Sequence, residues 1–391
     1  MKRIRLSELI TDCGDGIHGT PKYSETGEYY FINGNNLDNG FISIDENTLK
    51  VDSYEYEKIK RPLNDRTVLL SINGSLGKTA FYRGEKIALG KSACYINVKK
   101  EYNKEFFRYI LTTKEFQKYM LQVAHGSTIK NFSPSQVGEY EANLPDQTEH
   151  DAIANLLSIL DAKITNNESI CSDLETIMNT LYSYWFVQFD FPNEFGKPYK
   201  TSGGKMVWND VLKKNIPENW ELKHTPDITT LATGKEDANF ATNDGQYAYF
   251  TCGQDVLKCN KPAFEGKAIL LAGNGDFNVK HYTGKFNAYQ RTYVLIPRET
   301  KYYALLYLVT KETVAKFHKG SAGSIVKFIT AGDVNAISLL DPKNDSLLNQ
   351  LNLLLDEIEK IQAENEKLIE IRDFLLPMLM NGQVSIKDER G

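Results

Sequence analysis

Apolar residues recur at alternating steps of four and three in two long stretches of this chain. In the first they are Ile153, Leu157, Leu160, Ile164, Asn167, Cys171, Leu174, Met178, Leu181 and Trp185. In the second they are Leu351, Leu354, Ile358, Ile361, Asn365, Leu368, Ile371 and Leu375. A seam of this narrow kind, held over several heptads, predicts two long helices that pair as a coiled coil. The first covers 149–185, which at about 1.5 Å per residue makes a rod of about 54 Å. It ends at Asp190-Phe191-Pro192, and a Pro/Gly/Lys linker runs on to about Gly204. The second ends at Pro377 and Asn381-Gly382. Neither stripe tolerates water, so each rod needs a partner. The expectation is that the rods pack antiparallel against each other; the alternative is that each packs on its own neighbouring domain. Asn167 and Asn365 put one polar group into each seam, a device that fixes register at some cost in stability.

The segments before the rods carry a different pattern. Tyr29-Tyr30-Phe31-Ile32, Val68-Leu69-Leu70-Ser71-Ile72 and Ala93-Cys94-Tyr95-Ile96-Asn97-Val98 are short, aromatic or β-branched, and bounded by turn residues. One helix is predicted over 104–122. In the second half, strands are predicted at Ala248-Tyr249-Phe250, Ala268-Ile269-Leu270-Leu271 and 292–296, with a helix over 302–317. The halves are related: Gly126, Ser127, Lys130, Val137 and Pro145 recur 197 positions later as Gly323, Ser324, Lys327, Val334 and Pro342. That unit is too long for a solenoid repeat. The expected fold is α+β: two similar β-rich domains separated by two long helices packed as an antiparallel coiled coil, with pseudo-twofold symmetry. The boundaries are 1–146 for the first domain, 147–190 for the central helix, 191–342 for the linker and second domain, and 343–391 for the C-terminal helix.

Charge refines this picture. The whole chain carries a net −5, which at first argues against a nucleic-acid partner. Residues 1–145, however, hold 20 Lys+Arg against 18 Asp+Glu, and residues 191–342 hold 19 against 15, while 146–190 hold 1 against 8 and 343–391 hold 6 against 10. The acid lies on the helices and the base on the globular parts, and phosphate affinity needs only a local positive face. The five cysteines form no CxxC pair and the histidines no HExxH, so a zinc site is not expected and reduced thiols in a cytoplasmic protein are. No apolar run is long enough to span a bilayer, so no membrane partner is expected.

The candidate contacts with DNA lie in Gly-, Asn- and Lys-rich turns. Gly74-Ser75-Leu76-Gly77-Lys78-Thr79 looks like a phosphate-binding P-loop but has Ile72 where the first glycine belongs, and a strand is expected to follow where a helix is required. It reads as a hairpin turn whose Asn73, Ser75 and Lys78 can meet bases and phosphates. Its counterpart supplies Asn274, Asn278 and Lys280. The loops before the rods supply Ser127, Lys130 and Asn131, and Ser324 and Lys327. The early segment around Asp15-Gly16 supplies His18, Thr20 and Lys22, and Lys235, Gln290 and Arg291 complete the set. No Asn-Pro-Pro-Tyr or Asp-Pro-Pro-Tyr box, S-adenosylmethionine loop or nuclease cluster is recognisable. On these residues three classes stand open: a DNA reader, a stand-alone nucleic-acid enzyme with an unrecognised nuclease centre, and a DNA-independent coiled-coil scaffold.

Three local patterns resemble one known family, the specificity subunit of Type I restriction-modification systems. They are the strand and turn over 68–79, the Gly-Ser-x-x-Lys-Asn stretch leading to Leu144-Pro145 and the rod start, and the rod endings Leu181-Tyr182-Ser183-Tyr184-Trp185-Phe186 and Leu375-Leu376-Pro377-Met378-Leu379-Met380. The resemblance implies two target recognition domains that read a bipartite site on double-stranded DNA, with a spacer set by the rods. It implies two adenine-methylating subunits as partners and two ATP-driven restriction subunits in the full complex. It implies no catalysis and no cofactor on this chain, with S-adenosylmethionine, ATP and Mg2+ used by the partners. Phe328 stands where Asn131 has its counterpart, so the second contact set departs from the first.

Overall fold

The computed structural model describes residues 1–125, 130–275, 277–320 and 328–386. The chain forms two compact units, one made of 1–166 with 365–391 and one of 167–364. The two long helices are Gln147–Tyr182 and Asp345–Met380, each of 36 residues, and each contributes one half to either unit.

In the first unit a four-stranded sheet runs in the order Ile10–Asp15, Ala93–Val98, Thr67–Ser71, Thr79–Phe81. A smaller sheet sets Tyr29–Ile32 parallel to Ile87–Leu89. Strand Ala93–Val98 is buried along its whole length, because the helices cover one face and the smaller sheet the other. Where one helix was expected over 104–122 there are two, Lys104–Thr112 and Lys114–Val123. Thr113 breaks the run: its backbone is extended and its hydroxyl accepts from the Phe116 N–H, the capping behaviour for which a hydroxyl residue outcompetes the helix ladder. Thr79–Phe81 is a strand, as the rejection of a P-loop required.

The second unit repeats the plan. Its sheet runs Thr229–Thr233, Thr292–Pro297, Phe264–Ala272, Val279–Ala288, Tyr247–Phe250, Val256–Cys259. The pair Glu221–His224 with Ser338–Asp341 answers the pair Lys2–Arg5 with Glu141–Leu144 in the first unit.

Within each unit the two long helices run antiparallel. In the first, Asn365 Nδ2 donates to the Ile164 carbonyl at 3.2 Å, and Arg372 pairs with Asp161 at 3.0 Å, so one helix climbs as the other descends. In the second, Asn167 Nδ2 donates to Glu364 at 2.7 Å. Leu157, Ile164 and Ile358 are buried, and Leu160, Leu174, Leu181, Leu354, Ile361, Leu368 and Leu375 are half-buried. Ile371 departs from its expected place: it is 47% exposed, and its neighbour Arg372 turns inward to reach Asp161 instead. The helices also lean on the domain of their unit, so the two packing alternatives both hold. Arg108 and Tyr109 grip Asp161, and Tyr182 donates to Glu312 at 2.6 Å.

The helix ends are anchors. Trp185 and Phe186, in the π-turn Ser183–Val187, join the core of the second unit, with Phe186 5.1 Å from Trp220. Leu379 and Met380 join the core of the first. Of the two stop signals expected, Pro377 and Asn381-Gly382, the second helix heeds only the later one. It runs through that proline to Met380, because burying the last turn offsets the one amide hydrogen bond lost.

Candidate nucleic-acid interface

In the first unit five loops leave the same end of the sheets. Asp15 lies opposite Cys94 and Ala93 opposite Ser71, so segments 16–22, 72–78 and 90–92 emerge together. Ile32 lies beside Leu89, which brings in segment 33–36. Asn73 bridges Asn131, which brings in the loop before the first long helix. Backbone bonds tie the set: Gly16 N–H to the Ala93 carbonyl at 3.1 Å, Gly90 to Ile32 at 2.8 Å, Ile72 to Ser92 at 3.0 Å and Phe132 to Ile72 at 2.9 Å. Phe132 is fully buried against Phe116 and so pins the loop base.

The second unit is wired the same way. Gly234 donates to Thr292 at 3.2 Å, Tyr289 to Phe250 at 2.8 Å, Gly273 to Arg291 at 2.8 Å and Ile329 to Gly273 at 2.8 Å. The bridge Glu236–Tyr289 answers Ile17–Gly90. Gly16 and Gly234 sit at one matched close approach. A Cβ there would stand 2.1 Å from the Leu89 carbonyl oxygen in one unit and 1.9 Å from that of Ala288 in the other.

The predicted contact residues divide between the two ends so defined. His18, Thr20 and Lys22 are exposed on segment 16–22, with His18 Nε2 2.6 Å from Asp15. Ser75 and Lys78 are exposed and Asn73 half-buried on the hairpin turn, where Gly74 and Gly77 take φ of +74° and +86°. Asn131 is exposed with its backbone paired to His125, and Lys130 Nζ donates to the Leu121 carbonyl at 3.0 Å. In the second unit Lys235, Gln290 and Arg291 are exposed and Asn274 is half-buried. Ser127, Ser324 and Lys327 lie outside the described residues.

Asn278 and Lys280 have a different part. The Asn278 amide donates to the Cys252 carbonyl at 2.7 Å and the Lys280 ammonium to that of Gly253. Burial lowers the Lys280 pKa below the ordinary lysine value. Both hold the 251–255 loop in shape rather than extend outward. Segment 33–36 was missed by sequence reasoning, as were Lys91 and Ser92. Its run Asn33-Gly34-Asn35-Asn36 has the amide-rich character of a base-reading loop, which was the available signal. Phe328, the counterpart of Asn131, is 61% exposed.

Two units with one wiring, each presenting amide and basic side chains from a rigid sheet end, define a duplicated ligand-reading module. No helix among the described residues is long and apolar enough to cross a membrane, and among them no group of three His, Cys, Asp or Glu side chains could hold a metal ion.

Comparison with known proteins agrees with this class. Residues 4–176 and 217–330 match the family model described as Type I restriction modification DNA specificity domain. The chain belongs to that family. It is 40% identical over 177 residues to the EcoDI specificity subunit of a Type I restriction enzyme from Escherichia coli, covering 44% of this chain and 40% of that protein. The aligned stretch thus spans about two fifths of that relative. It is 26% identical over 315 residues to the MjaIX specificity subunit of Methanocaldococcus jannaschii, covering 73% of this chain and 70% of that one. The solved structure of a Type I restriction-modification S subunit from M. genitalium shares the fold, with a TM-score of 0.60 and 19% identity over 97% of this chain and 96% of that one.

Proposed function

We propose that this chain reads a bipartite site on double-stranded DNA, one short element per unit, and is itself non-catalytic. The observation that carries the reading is the repeated wiring of the five loops, which gives each unit its own polar reading end. Two reading ends on one chain suit a target with two separated parts. Exposed Lys22, Lys78, Lys130, Lys235 and Arg291 supply the phosphate-neutralising charge, and the amide side chains supply donors and acceptors for base edges. The partners in this reading are two methyltransferase subunits and, in the full complex, two restriction subunits. S-adenosylmethionine, ATP and Mg2+ belong to those partners.

The test is single-molecule mapping of N6-methyladenine in host DNA with and without this gene. One split motif should vanish when the gene is removed. Replacing residues 1–145 by those of another family member should change one half of that motif only. A change in both halves, or metal-dependent cleavage by the purified chain, would overturn the reading.

A further inference from the structure

Segment 33–36 of the first unit carries three asparagines, and two of them take part in building the turn. Asn36 Oδ1 accepts from the Asn33 N–H at 3.0 Å, and its Nδ2 donates to the Ser43 carbonyl at 3.0 Å. Asn33 Oδ1 accepts from Ser92 Oγ at 2.9 Å, while that hydroxyl accepts from the Gly34 N–H at 2.9 Å. The turn is thus fastened to the 90–92 loop and closed on itself, with its backbone held on both sides.

Asn35 is the exposed member. Its Oδ1 accepts from Ser75 Oγ at 3.1 Å, and its Nδ2 has no hydrogen-bond partner among the described residues. The bond from Ser75 restrains the amide and leaves a donor and a second lone pair unused on an exposed side chain. That is the pattern that pairs with the N7 acceptor and N6 donor of adenine in the major groove. A side chain held in this way loses little rotamer freedom on binding, so the contact is pre-organised. The counterpart segment of the second unit, 251–254, has Gly253 where the first has Asn35, so it offers no amide at this place. There Asn278 and Lys280 hold the loop instead.

We infer that Asn35 reads an adenine in the half-site of the first unit, with Ser75 as the positioning residue that restrains its amide. The inference rests on the DNA-reading function proposed above. The experiment is selection of the full-length chain on a library of randomised duplexes, followed by affinities for the selected duplex and an unrelated one. Asn35→Ala should abolish the adenine preference at one position of one half-site and weaken binding to the selected duplex by roughly 10- to 100-fold. Its affinity for the unrelated duplex and the other half-site should be unchanged. Ser75→Ala should relax the same position to a lesser degree.

A wild-type profile retained by Asn35→Ala overturns the inference, and so does a uniform loss across all sequences, which marks a backbone contact. A wild-type chain that selects no sequence overturns the DNA-reading function itself, and this inference with it. Thermal unfolding of the exposed-site variants, expected at the wild-type midpoint, keeps a folding defect from counting as support.

Discussion

Asp161 and Glu359 stand 198 positions apart, at the same place in two helices of equal length, and each is the carboxylate on which its own unit grips the helix. Asp161 takes Arg108 at 2.5 Å, Tyr109 at 2.7 Å and Arg372 at 3.0 Å. Glu359 takes His281 at 2.9 Å, Tyr303 at 2.6 Å and Thr283 at 2.7 Å. The two units keep the position of the acid and a tyrosine donor, and differ in the rest: two arginines in the first, a histidine and a threonine in the second.

Removing Asp161 should be costly. The Arg108 side chain is only 6% exposed and its Nε already lacks a partner. Asp161→Ala would leave that guanidinium charged, buried and unpaired, a change that costs about 3 kcal/mol or more. Urea unfolding should show the loss, and Asp161→Glu should recover part of it.

Glu359 makes the second unit acid-sensitive. Burial raises its pKa, but the bonds from His281, Tyr303 and Thr283 outweigh burial and hold it below the ordinary carboxylate value. A carboxylate lowered on folding adds stability above its unfolded pKa, about 4.3 for Glu, and that stability is lost as pH falls through the folded value. Glu359→Gln should therefore be less stable than wild type at pH 7. Urea midpoints measured from pH 7 downward should converge below about pH 4.3. A constant gap across that range would show that the carboxylate charge is not what matters.

Lys78 tests the phosphate contacts. It is exposed on the hairpin turn, and its backbone carbonyl accepts from the Ser71 N–H at 2.8 Å. Lys78→Ala should weaken binding to selected and unselected duplexes alike and reduce the slope of log affinity against log salt by about 1. An unchanged slope would remove Lys78 from the contact set.

The close approach at Gly234 separates the two units. Gly234→Ala drives a Cβ into the Ala288 carbonyl, a backbone atom that cannot swing aside. Hydrogen exchange should speed up in segments 273–275 and 289–292 and stay unchanged in segments 72–78 and 90–93. Equal loosening of both would mean the two sheet ends are not independent.

The long helices and several strands were legible because their signals are local. Seam residues such as Leu157 and Ile358 announce themselves by spacing, and strand Ala93–Val98 by an unbroken run that fits burial on both faces. The duplication was legible near the helices, where Phe132 and Ile329 keep the 197-residue offset. It was hidden earlier, because Gly16 and Gly234 are 218 apart and no fixed period links them. The grip of Asp161 was not legible either, since its donors arrive from positions 108, 109 and 372 and only the folded chain brings them together. Asn35 was missed for a related reason: Ser75 is 40 residues away, and in sequence the asparagine is one of three indistinguishable neighbours.

The division of the chain sets an order of events during synthesis. The first unit is completed by residues 365–386, among them Leu379 and Met380, which are synthesised only after the whole of the second unit. Until they emerge, Leu157 and its neighbours in the first helix have the cover of their own domain but lack that of the second helix. The N-terminal part cannot be finished first, and closing it must wait for some 200 intervening residues. A nascent chain stalled before residue 365 would carry a finished-looking sheet with an open, adhesive flank, and should be the form that chaperones capture.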